Sequence, residues 1–338
     1  MKISVFGLGY VGCVSIGCLS ENGFELIGVD INSEKVALIN SGKPTIIEEG
    51  INGLLKTNFE KGRISATSDV INAIKNTKIS IICVGTPSSD NGQLDVSNVY
   101  SCAENIAKGI KQKNSYHLVI IRSTVVPGTN KEVKKIIERI SGKKNNLDFS
   151  VVSNPEFLRE GTAIYDYLNP DIIVIGSDNS KAIDITKSIY SQITAKIHIT
   201  NIKTAEIIKY VNNSFHALKV SFANEIGLIC KKLNIDSHEV MKLFCEDKKL
   251  NLSSYYLKPG YAYGGSCLPK DLKGLNMLAY DNYLKTPLLN SIEKSNENIK
   301  NIALSLIMKE NKKNIGIVGL SFKKGTDDLR QSPDRRTL

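Results

Sequence analysis

Features that mark membrane proteins, metal sites and nucleic-acid binders are missing from this sequence. No apolar run approaches the ~20 residues that a membrane-spanning helix needs. The seven cysteines are odd in number and form no C-x-x-C pair with a histidine partner, which argues against a disulfide framework and against zinc. No basic tail or arginine-rich stripe accompanies the net charge of +10. These absences disfavour a membrane, a metal and a nucleic acid as partners, and the cysteines favour a reducing cytoplasm.

What the sequence does contain is the composition of a globular protein with more than one core. It has 338 residues, of which 41% are hydrophobic and 23% are charged. A chain of this length is long for a single core, so we expect at least two domains. The excess of positive charge is compatible with a pyrophosphate ligand.

A glycine motif follows the first apolar segment of the chain. Residues 3–6 are predicted to be a buried strand and residues 13–21 a helix, with Gly7, Gly9 and Gly12 between them in a G-x-G-x-x-G pattern. In such a turn the first glycine permits the tight bend, the second lets a pyrophosphate reach the backbone, and the third lets helix and strand pack closely. The same stretch imitates a signal peptide, but the glycine spacing favours a dinucleotide-binding turn.

An acidic residue at the end of the second predicted strand indicates which dinucleotide binds. The strand runs from Glu25 to Val29 and is followed by Asp30. A carboxylate at this position bonds both ribose hydroxyls and repels a 2′-phosphate, so the sequence predicts NAD rather than NADP. Lys35, a few residues on, would tolerate a phosphate and is the one dissenting feature.

Further apolar runs recur at the spacing of alternating strands and helices. The predicted strands are Ile79–Val84, Leu118–Ile121, Phe149–Val152 and Ile172–Ile175. Together with the glycine motif they predict one doubly wound parallel sheet of the Rossmann type, the α/β class, over residues 1–200.

Polar, turn-forming residues follow three of these strands. They are Gly85-Thr86-Pro87, Arg122-Ser123-Thr124 and Asn154-Pro155-Glu156. Ligands bind beyond the carboxyl ends of parallel strands, so these ends are predicted to share a crevice with the glycine motif, although turn formation alone would also explain them. Glu156 and Glu160 are four residues apart, a spacing that predicts two carboxylates on one face of a helical turn.

Residues 203–233 are predicted to form one long helix. Its middle carries only Lys219 and Glu225 as charges, so most of its surface should be buried, in part against a second copy of the chain. Polar side chains nevertheless stripe one face: Lys209, Asn213, His216 and Asn224. They predict either a structural network or a substrate-facing wall, and Lys209 favours the wall because an ammonium is a natural counter-charge for an oxyanion.

Glycines and a proline surround Cys267. It is preceded by Gly260, Gly264 and Gly265. These glycines would let the backbone approach a ligand, and Pro269 suits the first turn of a helix. Cys267 would then lie at a helix N-terminus, where the partial positive charge and Lys270 favour the thiolate. The alternative is a buried structural cysteine, but the pattern favours a reactive thiol.

The last part of the chain predicts helices at 236–246, 269–283 and 287–309 and then a new strand at 313–319. This strand and the polar loop after it are typical of the start of a second nucleotide-binding unit. One strand cannot form a domain, so the chain is expected to be either a fragment of a longer protein or a naturally short one. The predicted domains are a Rossmann-type domain at 1–200, a central helical dimerisation domain at 201–310 and the first part of a C-terminal domain at 311–338.

The chain resembles the UDP-glucose/GDP-mannose dehydrogenase family over nearly its whole length. The resemblance rests on six motifs in the family's order: Phe6–Gly12, Val84–Pro87, Arg122–Thr129, Asn154–Glu160, Gly264–Asp271 and Phe322–Asp328. It implies oxidation of a nucleotide sugar at C6, from alcohol to carboxylate, in two NAD-dependent steps. Cys267 would trap the aldehyde as a thiohemiacetal, which becomes a thioester and is released by water as the uronate.

Matching these motifs residue by residue implies roles for individual side chains. The catalytic residues would be Cys267, Lys209, Asn213, Asp271, Glu156 and Thr124. NAD would contact Gly7, Gly9, Tyr10, Val11, Gly12, Asp30, Lys35, Thr86, Thr124, Lys270 and Arg330. The sugar nucleotide would contact Glu160, Lys209, Asn213, His216, Asn224, Tyr255, Tyr256, Lys258, Gly264 and Lys323. The resemblance implies no metal.

Two runs, Asp247–Ser253 and Pro259–Gly264, favour GDP-mannose as the substrate within the family, with UDP-glucose or UDP-N-acetylmannosamine as alternatives. Two features depart from the family pattern. Lys258 stands where arginine is more familiar, which would replace a forked phosphate contact by a point charge. Family members also continue through a third domain that holds the nucleotide base.

The rival hypotheses are a two-electron hydroxyacid dehydrogenase with an inert Cys267 and a non-catalytic nucleotide-binding remnant.

Overall fold

The chain divides into two units in the computed structural model. The structure describes residues 1–232, 234–248, 260–281, 283, 287–312, 314–316, 318–321 and 325–333. The first unit consists of Met1–Ser89 and Leu94–Lys209, and the second of Asp90–Gln93 and Tyr210–Leu338. The domain boundaries predicted near residues 200 and 310 stay predictions.

Eight strands of the described chain join in one sheet of the first unit. They are β1 (Lys2–Phe6), β2 (Glu25–Val29), β3 (Ile64–Thr67), β4 (Ile79–Ile82), β5 (His117–Ile121), β6 (Phe149–Ser153), β7 (Ile172–Gly176) and β8 (Lys196–Thr200). Their order across the sheet is β3-β2-β1-β4-β5-β6-β7-β8. Strand order thus reverses between β1 and β4, as in doubly wound folds.

The described helices alternate with these strands and then continue alone through the second unit. They are α1 (Tyr10–Glu21), α2 (Ser33–Ile39), α3 (Ile51–Glu60), α4 (Val70–Asn76), α5 (Ser97–Lys111), α6 (Thr129–Ser141), α7 (Ala163–Leu168), α8 (Ser180–Ile189), α9 (Ile202–Lys232), α10 (Ser237–Glu246), α11 (Leu268–Asp281) and α12 (Pro287–Lys309). The predicted α/β class is confirmed.

One pair of strands corrects the prediction of an entirely parallel sheet. β1 to β6 pair in parallel, and so do β7 and β8, but β6 and β7 meet in an antiparallel bridge between Ser153 and Gly176. A parallel pair needs a crossover that lies over the sheet, usually a helix. The connection from β6 to β7 holds only the six-residue α7, which packs against α1.

The core of the first unit explains why its strands are continuous apolar runs. In β5, Leu118 and Ile120 belong to one buried cluster, and Val119 and Ile121 belong to another. Successive side chains of a strand point to opposite faces, so both faces of this sheet are covered by helices. The two edge strands, β3 and β8, were not predicted, because they are partly exposed and carry polar residues among the apolar ones.

The second unit is built on a smaller apolar cluster. Ala217 of α9, Leu272 of α11 and Ile292 of α12 pack together with Tyr263, which lies in the loop before α11. Asn296 of α12 holds that loop through its side chain, which accepts from the Tyr263 amide at 2.9 Å and donates to the Tyr263 carbonyl at 3.0 Å. The four helices predicted after residue 200 are confirmed to within two residues at each end.

The strand predicted at 313–319 is not formed by the residues that the structure describes there, 314–316 and 318–319. Ile315 and Val318 are exposed. A strand gains its backbone hydrogen bonds only beside another strand, and none of the eight strands of the sheet comes from this segment. Lys313 and Ile317 lie outside the described residues.

A chain of buried polar groups runs beneath the amino ends of β1, β4 and β5. His117 Nε2 lies 2.7 Å from Ser80 Oγ, which lies 2.8 Å from Ser4 Oγ. Lys113 Nζ lies 2.9 Å from His117 Nδ1. Because an ammonium only donates, Nδ1 accepts and the proton resides on Nε2. Burial, with a smaller effect of the Lys113 charge, lowers the pKa of His117 well below its ordinary value, so the imidazole is neutral in the fold.

The neutral imidazole predicts a loss of stability in acid. Below about pH 6.5 the unfolded chain protonates His117 while the folded chain does not. The contribution of His117 to the unfolding free energy is therefore fully present above this pH and is lost as the pH falls below it. We expect this residue to remove up to about 1.4 kcal/mol of unfolding free energy per pH unit. Urea unfolding between about pH 5 and about pH 7 should show a shallower pH slope for His117→Gln than for the parent. The exposed His238 supplies the matched control, and equal slopes for the parent and H117Q would contradict the assignment.

Candidate active site

The glycine turn between β1 and α1 has the shape that a pyrophosphate requires. Gly7 has φ +89°, and a Cβ there would meet the backbone of Cys83 and Val84 at 2.9 Å. A Cβ on Gly12 would lie 1.8 Å from the Gly7 carbonyl oxygen. Above Gly9, by contrast, no described heavy atom lies within 4 Å of the Cβ position. The backbone is therefore bare where α1 begins, and the turn fits the phosphates of NAD.

Asp30 is fixed beside this turn. Its Oδ2 accepts from the Leu8 amide at 2.6 Å, and its Oδ1 accepts from the Asn32 amide at 2.9 Å. Asn32 in turn caps α2 by accepting from the amides of Glu34 and Lys35. The carboxylate predicted to hold the ribose is thus oriented by the glycine turn itself.

Replacing Gly9 by alanine is expected to weaken NAD binding about 10- to 100-fold, as the loss of one or two charge-assisted hydrogen bonds would. The backbone at Gly9 has φ −79° and tolerates a side chain, so the fold should survive. Calorimetric titration with NAD measures the change, with the midpoint of thermal unfolding as the fold control. Gly53→Ala, at an open position within α3, is the matched variant and should bind NAD as the parent does. Unchanged affinity in G9A would place the pyrophosphate elsewhere.

Hydroxyl groups tie together the carboxyl ends of the neighbouring strands β4 and β5. Thr86 Oγ1 donates to the Thr124 carbonyl at 2.9 Å, and Ser123 Oγ donates to the Val84 carbonyl at 2.7 Å. Because β1, β4, β5 and β6 are adjacent and parallel, their polar ends lie side by side at one edge of the sheet. Thr86 and Thr124 are therefore at the edge where the glycine turn also lies.

Glu156 and Lys209 form a buried ion pair. Lys209 Nζ lies 3.0 Å from Glu156 Oε1, with side-chain exposures of 4% and 7%. Glu156 Oε2 also accepts from the Leu158 amide at 2.6 Å. The carboxylate thus turns back on its own loop, and residues 154–162 form no helix, only a single turn at residues 160–161. The prediction that Glu156 and Glu160 share one face of a helix is wrong, because α7 begins only at Ala163.

Glu206, for which the sequence predicted no role, ties the start of α9, the helix that carries Lys209, to the start of α6. Near the start of α9, its two carboxylate oxygens accept from the amides of Gly128, at 2.8 Å, and Asn130, at 2.7 Å. These amides open α6, directly after the loop that carries Thr124. Burial raises the pKa of Glu206. No local signal marks it, because its partners lie 76 and 78 residues away in the chain.

Cys267 lies at the amino end of α11. The Asp271 amide donates to the Cys267 carbonyl at 2.9 Å, so Cys267 closes the first helical turn, and its side chain is half-buried. The prediction of a cysteine at a helix N-terminus is confirmed. Its Sγ lies 3.7 Å from Ser266 Oγ. A helix N-terminus is one of the positions at which reactive cysteines occur in proteins.

Asp271 is fully buried one helical turn beyond Cys267, and two polar side chains contact it. The Asn213 amide group donates to Asp271 Oδ2, and Lys270 Nζ lies 3.3 Å from Asp271 Oδ1. Asn224, three turns along α9, accepts from the Gly260 amide at 2.7 Å and donates to the Tyr261 carbonyl at 3.1 Å. The structural-network interpretation of the polar stripe therefore accounts for both asparagines, and their contact with substrate stays a prediction.

The remaining predicted residues are dispersed. Gly264 is packed so tightly that a Cβ would lie 2.5 Å from the Gln331 carbonyl oxygen. Arg330 is exposed and pairs with Asp328 at 2.7 Å, and His216 is half-buried on α9. The predicted residues that lie outside the described part of the chain are Tyr255, Tyr256, Lys258 and Lys323.

Neither a metal-binding cluster nor a membrane-spanning helix is found among the described residues. They contain no cluster of three or more histidine, cysteine, aspartate or glutamate side chains arranged to hold a metal ion. None of the described helices combines the length and the apolar character needed to cross a bilayer.

Sequence profiles connect this geometry with one family. The profile described as "UDP-glucose/GDP-mannose dehydrogenase family, NAD binding domain" matches residues 1–194, and that of the family's central domain matches residues 203–298. The chain belongs to the UDP-glucose/GDP-mannose dehydrogenase family. The predicted family and the predicted cofactor, NAD, are confirmed.

Individual members of the UDP-glucose/GDP-mannose dehydrogenase family are similar over almost the entire chain. The GDP-mannose 6-dehydrogenase of Pseudomonas aeruginosa is 48% identical, over 98% of this chain and 77% of its own length. The UDP-glucose 6-dehydrogenase of Bacillus subtilis is 36% identical, over 98% of this chain and 71% of its own length.

Solved structures of the family show the same fold. A UDP-glucose dehydrogenase from Pyrobaculum islandicum superposes with a TM-score of 0.95 at 34% identity, covering 99% of this chain and 78% of that one. A ternary complex of GDP-mannose dehydrogenase from Pseudomonas aeruginosa superposes with a TM-score of 0.74 at 48% identity, covering 100% of this chain and 78% of that one. The chain is therefore a nucleotide-sugar dehydrogenase by family.

Proposed function

We propose that this protein oxidises GDP-mannose at C6 to GDP-mannuronate, with two molecules of NAD consumed per sugar. The observation that carries the proposal is Cys267, half-buried at the amino end of α11 beside the buried Asp271. A cysteine so placed suits the capture of an aldehyde, which separates a four-electron from a two-electron dehydrogenase.

The cofactor would be held by the first unit. The glycine turn would receive the pyrophosphate and Asp30 the ribose, and Thr86 and Thr124 lie at the same edge of the sheet. When bound, NAD supplies the acceptor for the hydride lost in each of the two oxidations.

The chain's own side chains would supply the nucleophile, stabilise the oxyanions and transfer the protons. The alcohol at C6 first becomes an aldehyde, and the Cys267 thiolate adds to its carbon to give a thiohemiacetal. Loss of the second hydride leaves a thioester, which water cleaves to the carboxylate and the thiolate. Lys209 and Asn213 would stabilise the oxyanions, and Asp271, Glu156 and Thr124 would place water and move protons.

GDP-mannose is favoured over UDP-sugars by the relatives. Six GDP-mannose 6-dehydrogenases, from Pseudomonas species and Azotobacter vinelandii, are 46% to 48% identical to this chain. Two UDP-glucose 6-dehydrogenases, from Bacillus subtilis and Rickettsia bellii, are 36% and 37% identical.

A substrate panel tests the proposal. The 338-residue chain is given NAD with GDP-mannose, UDP-glucose or UDP-N-acetylmannosamine, and the products are separated by mass. We expect NADH and a uronate from GDP-mannose. Faster turnover of a UDP-sugar would change the substrate, an aldehyde as the final product would support a two-electron enzyme, and NAD binding without turnover of any sugar would support a non-catalytic remnant.

We further infer that two copies of the chain pair through α9. Val211, Phe215 and Phe222 recur at helical spacing along α9 and are 47%, 40% and 40% exposed in the single chain. Side chains of this kind on one long helix are typical of an interface between copies. Sedimentation equilibrium should give twice the mass of the chain, and a monomer at micromolar concentration would contradict the pairing.

A further inference from the structure

A buried carboxylate links the glycine turn to the loop that carries Glu160. Glu48, 6% exposed, accepts a hydrogen bond from the Tyr10 hydroxyl through Oε2. The same oxygen accepts from the Gly161 amide at 2.7 Å, and Oε1 accepts from the Ala163 amide at 2.8 Å. The Gly161 amide also lies 3.0 Å from the Tyr10 oxygen. Both oxygens of Glu48 are therefore engaged.

The two ends of this link lie at positions with different tasks. Tyr10 is the first residue of α1 and directly follows Gly9, where the turn is open for the pyrophosphate. Gly161 directly follows Glu160, the carboxylate assigned to the sugar. The link spans 113 residues of sequence between Glu48 and Gly161. It lies wholly within the first unit.

The loop from Glu156 to Ala163 is fastened to carboxylates on both sides of Glu160. On one side the Leu158 amide donates to Glu156 at 2.6 Å, and the Arg159 amide donates to Asp166 at 2.9 Å. On the other side the amides of Gly161 and Ala163 donate to Glu48. The placement of Glu160 thus depends in part on Glu48, since that residue accepts from two backbone amides on the carboxyl-terminal side of the loop.

The Tyr10 hydroxyl donates to Glu48 over the ordinary pH range while it accepts from the Gly161 amide. Burial, and then the hydrogen bond to Glu48, raise the pKa of Tyr10 far above its usual value. The phenol keeps its proton, so a shift of the Tyr10 ring is transmitted to the carboxylate as a change in one charge-assisted hydrogen bond.

We propose that Glu48 is a positioning residue that couples NAD at the glycine turn to the sugar site at Glu160. The proposal rests on the function proposed above and on the contacts that the family resemblance implies, Tyr10 with the cofactor and Glu160 with the sugar. Coupling between two sites is reciprocal, so NAD would order the loop from Glu156 to Ala163, and an ordered loop would favour NAD.

The test compares Glu48→Gln with Glu49→Gln. E48Q keeps the shape of the side chain but replaces one acceptor oxygen by an N–H donor, so that oxygen can no longer accept from Ala163, or from Tyr10 and Gly161. Glu49 is the exposed neighbour and offers the same chemical change without those contacts. Tyr10→Phe removes only the hydroxyl and serves as a second variant if E48Q fails to fold.

Hydrogen exchange measured with and without NAD reports the link independently of turnover. In the parent and in E49Q, NAD should slow exchange of the amides at 158–163, and in E48Q and Y10F this protection should disappear. The KM for the sugar nucleotide should rise about tenfold in E48Q, in the range of known couplings between sites, with a smaller change in kcat.

Each outcome separates this inference from the proposed function. Protection that persists in E48Q, with unchanged KM, would overturn the coupling even if the protein unfolds more easily, because Glu48 would then be a structural anchor only. If the parent oxidises no sugar nucleotide but shows protection that E48Q loses, the coupling stands and the proposed function fails.

Discussion

Replacing Cys267 by serine is expected to lower turnover of the sugar nucleotide by about a thousandfold or more. A serine hydroxyl is almost never ionised at neutral pH, so it cannot add to the aldehyde as the thiolate does, and an ester is a poorer intermediate than a thioester. Serine also caps helices well, so α11 should keep its first turn. The loss would therefore be chemical rather than structural.

Initial rates of NADH formation, with thermal unfolding as the fold control, measure this loss. Cys245→Ser, at a half-buried cysteine in α10, is the matched variant and should retain the parent's rate. A C267S protein as active as the parent would show that the sulfur is inert and would favour a two-electron dehydrogenase.

Replacing Lys209 by methionine is expected to damage both stability and turnover. The change leaves Glu156, at 7% exposure, without the ammonium at 3.0 Å. Breaking a buried ion pair by removing one partner costs about 3–5 kcal/mol. If Lys209 stabilises an oxyanion, the rate should also fall by about 100-fold or more, as for other preorganised donors.

A double-mutant cycle separates the two effects. Glu156→Gln combined with K209M should recover part of the lost stability, because no buried charge then remains unpaired, but it should not recover activity. Lys135→Ala breaks an exposed pair of the same 3.0 Å length with Glu132 and should cost under about 1 kcal/mol. Full turnover in K209M would remove Lys209 from the chemistry and leave it a structural role.

Local patterns in the sequence were enough to predict the elements that form the candidate site. The glycine turn was predictable because its strand, turn and helix are consecutive, and Cys267 was placed at a helix end because Pro269 marks the first turn of α11. The central strands were predictable because both of their faces are buried. Edge strands lack that signal, so β3 and β8 were missed.

What the sequence could not reveal are contacts between distant segments. The direction of β7 depends on how the loop after β6 packs, and the pairing of Lys209 with Glu156 joins the first part of α9 to that loop. Glu48 and Glu206 resemble ordinary surface glutamates until the fold brings backbone amides to them. Such carboxylates are recognised by their burial, which no local pattern encodes.

The proposed function requires one sulfur, that of Cys267, to serve two successive oxidations. The most direct measurement is the number of NADH molecules formed per GDP-mannose consumed when the sugar is limiting and the reaction runs to completion. We expect two NADH and a product heavier than the substrate by the exchange of two hydrogens for one oxygen. One NADH per sugar, with an aldehyde as the final product, would contradict it.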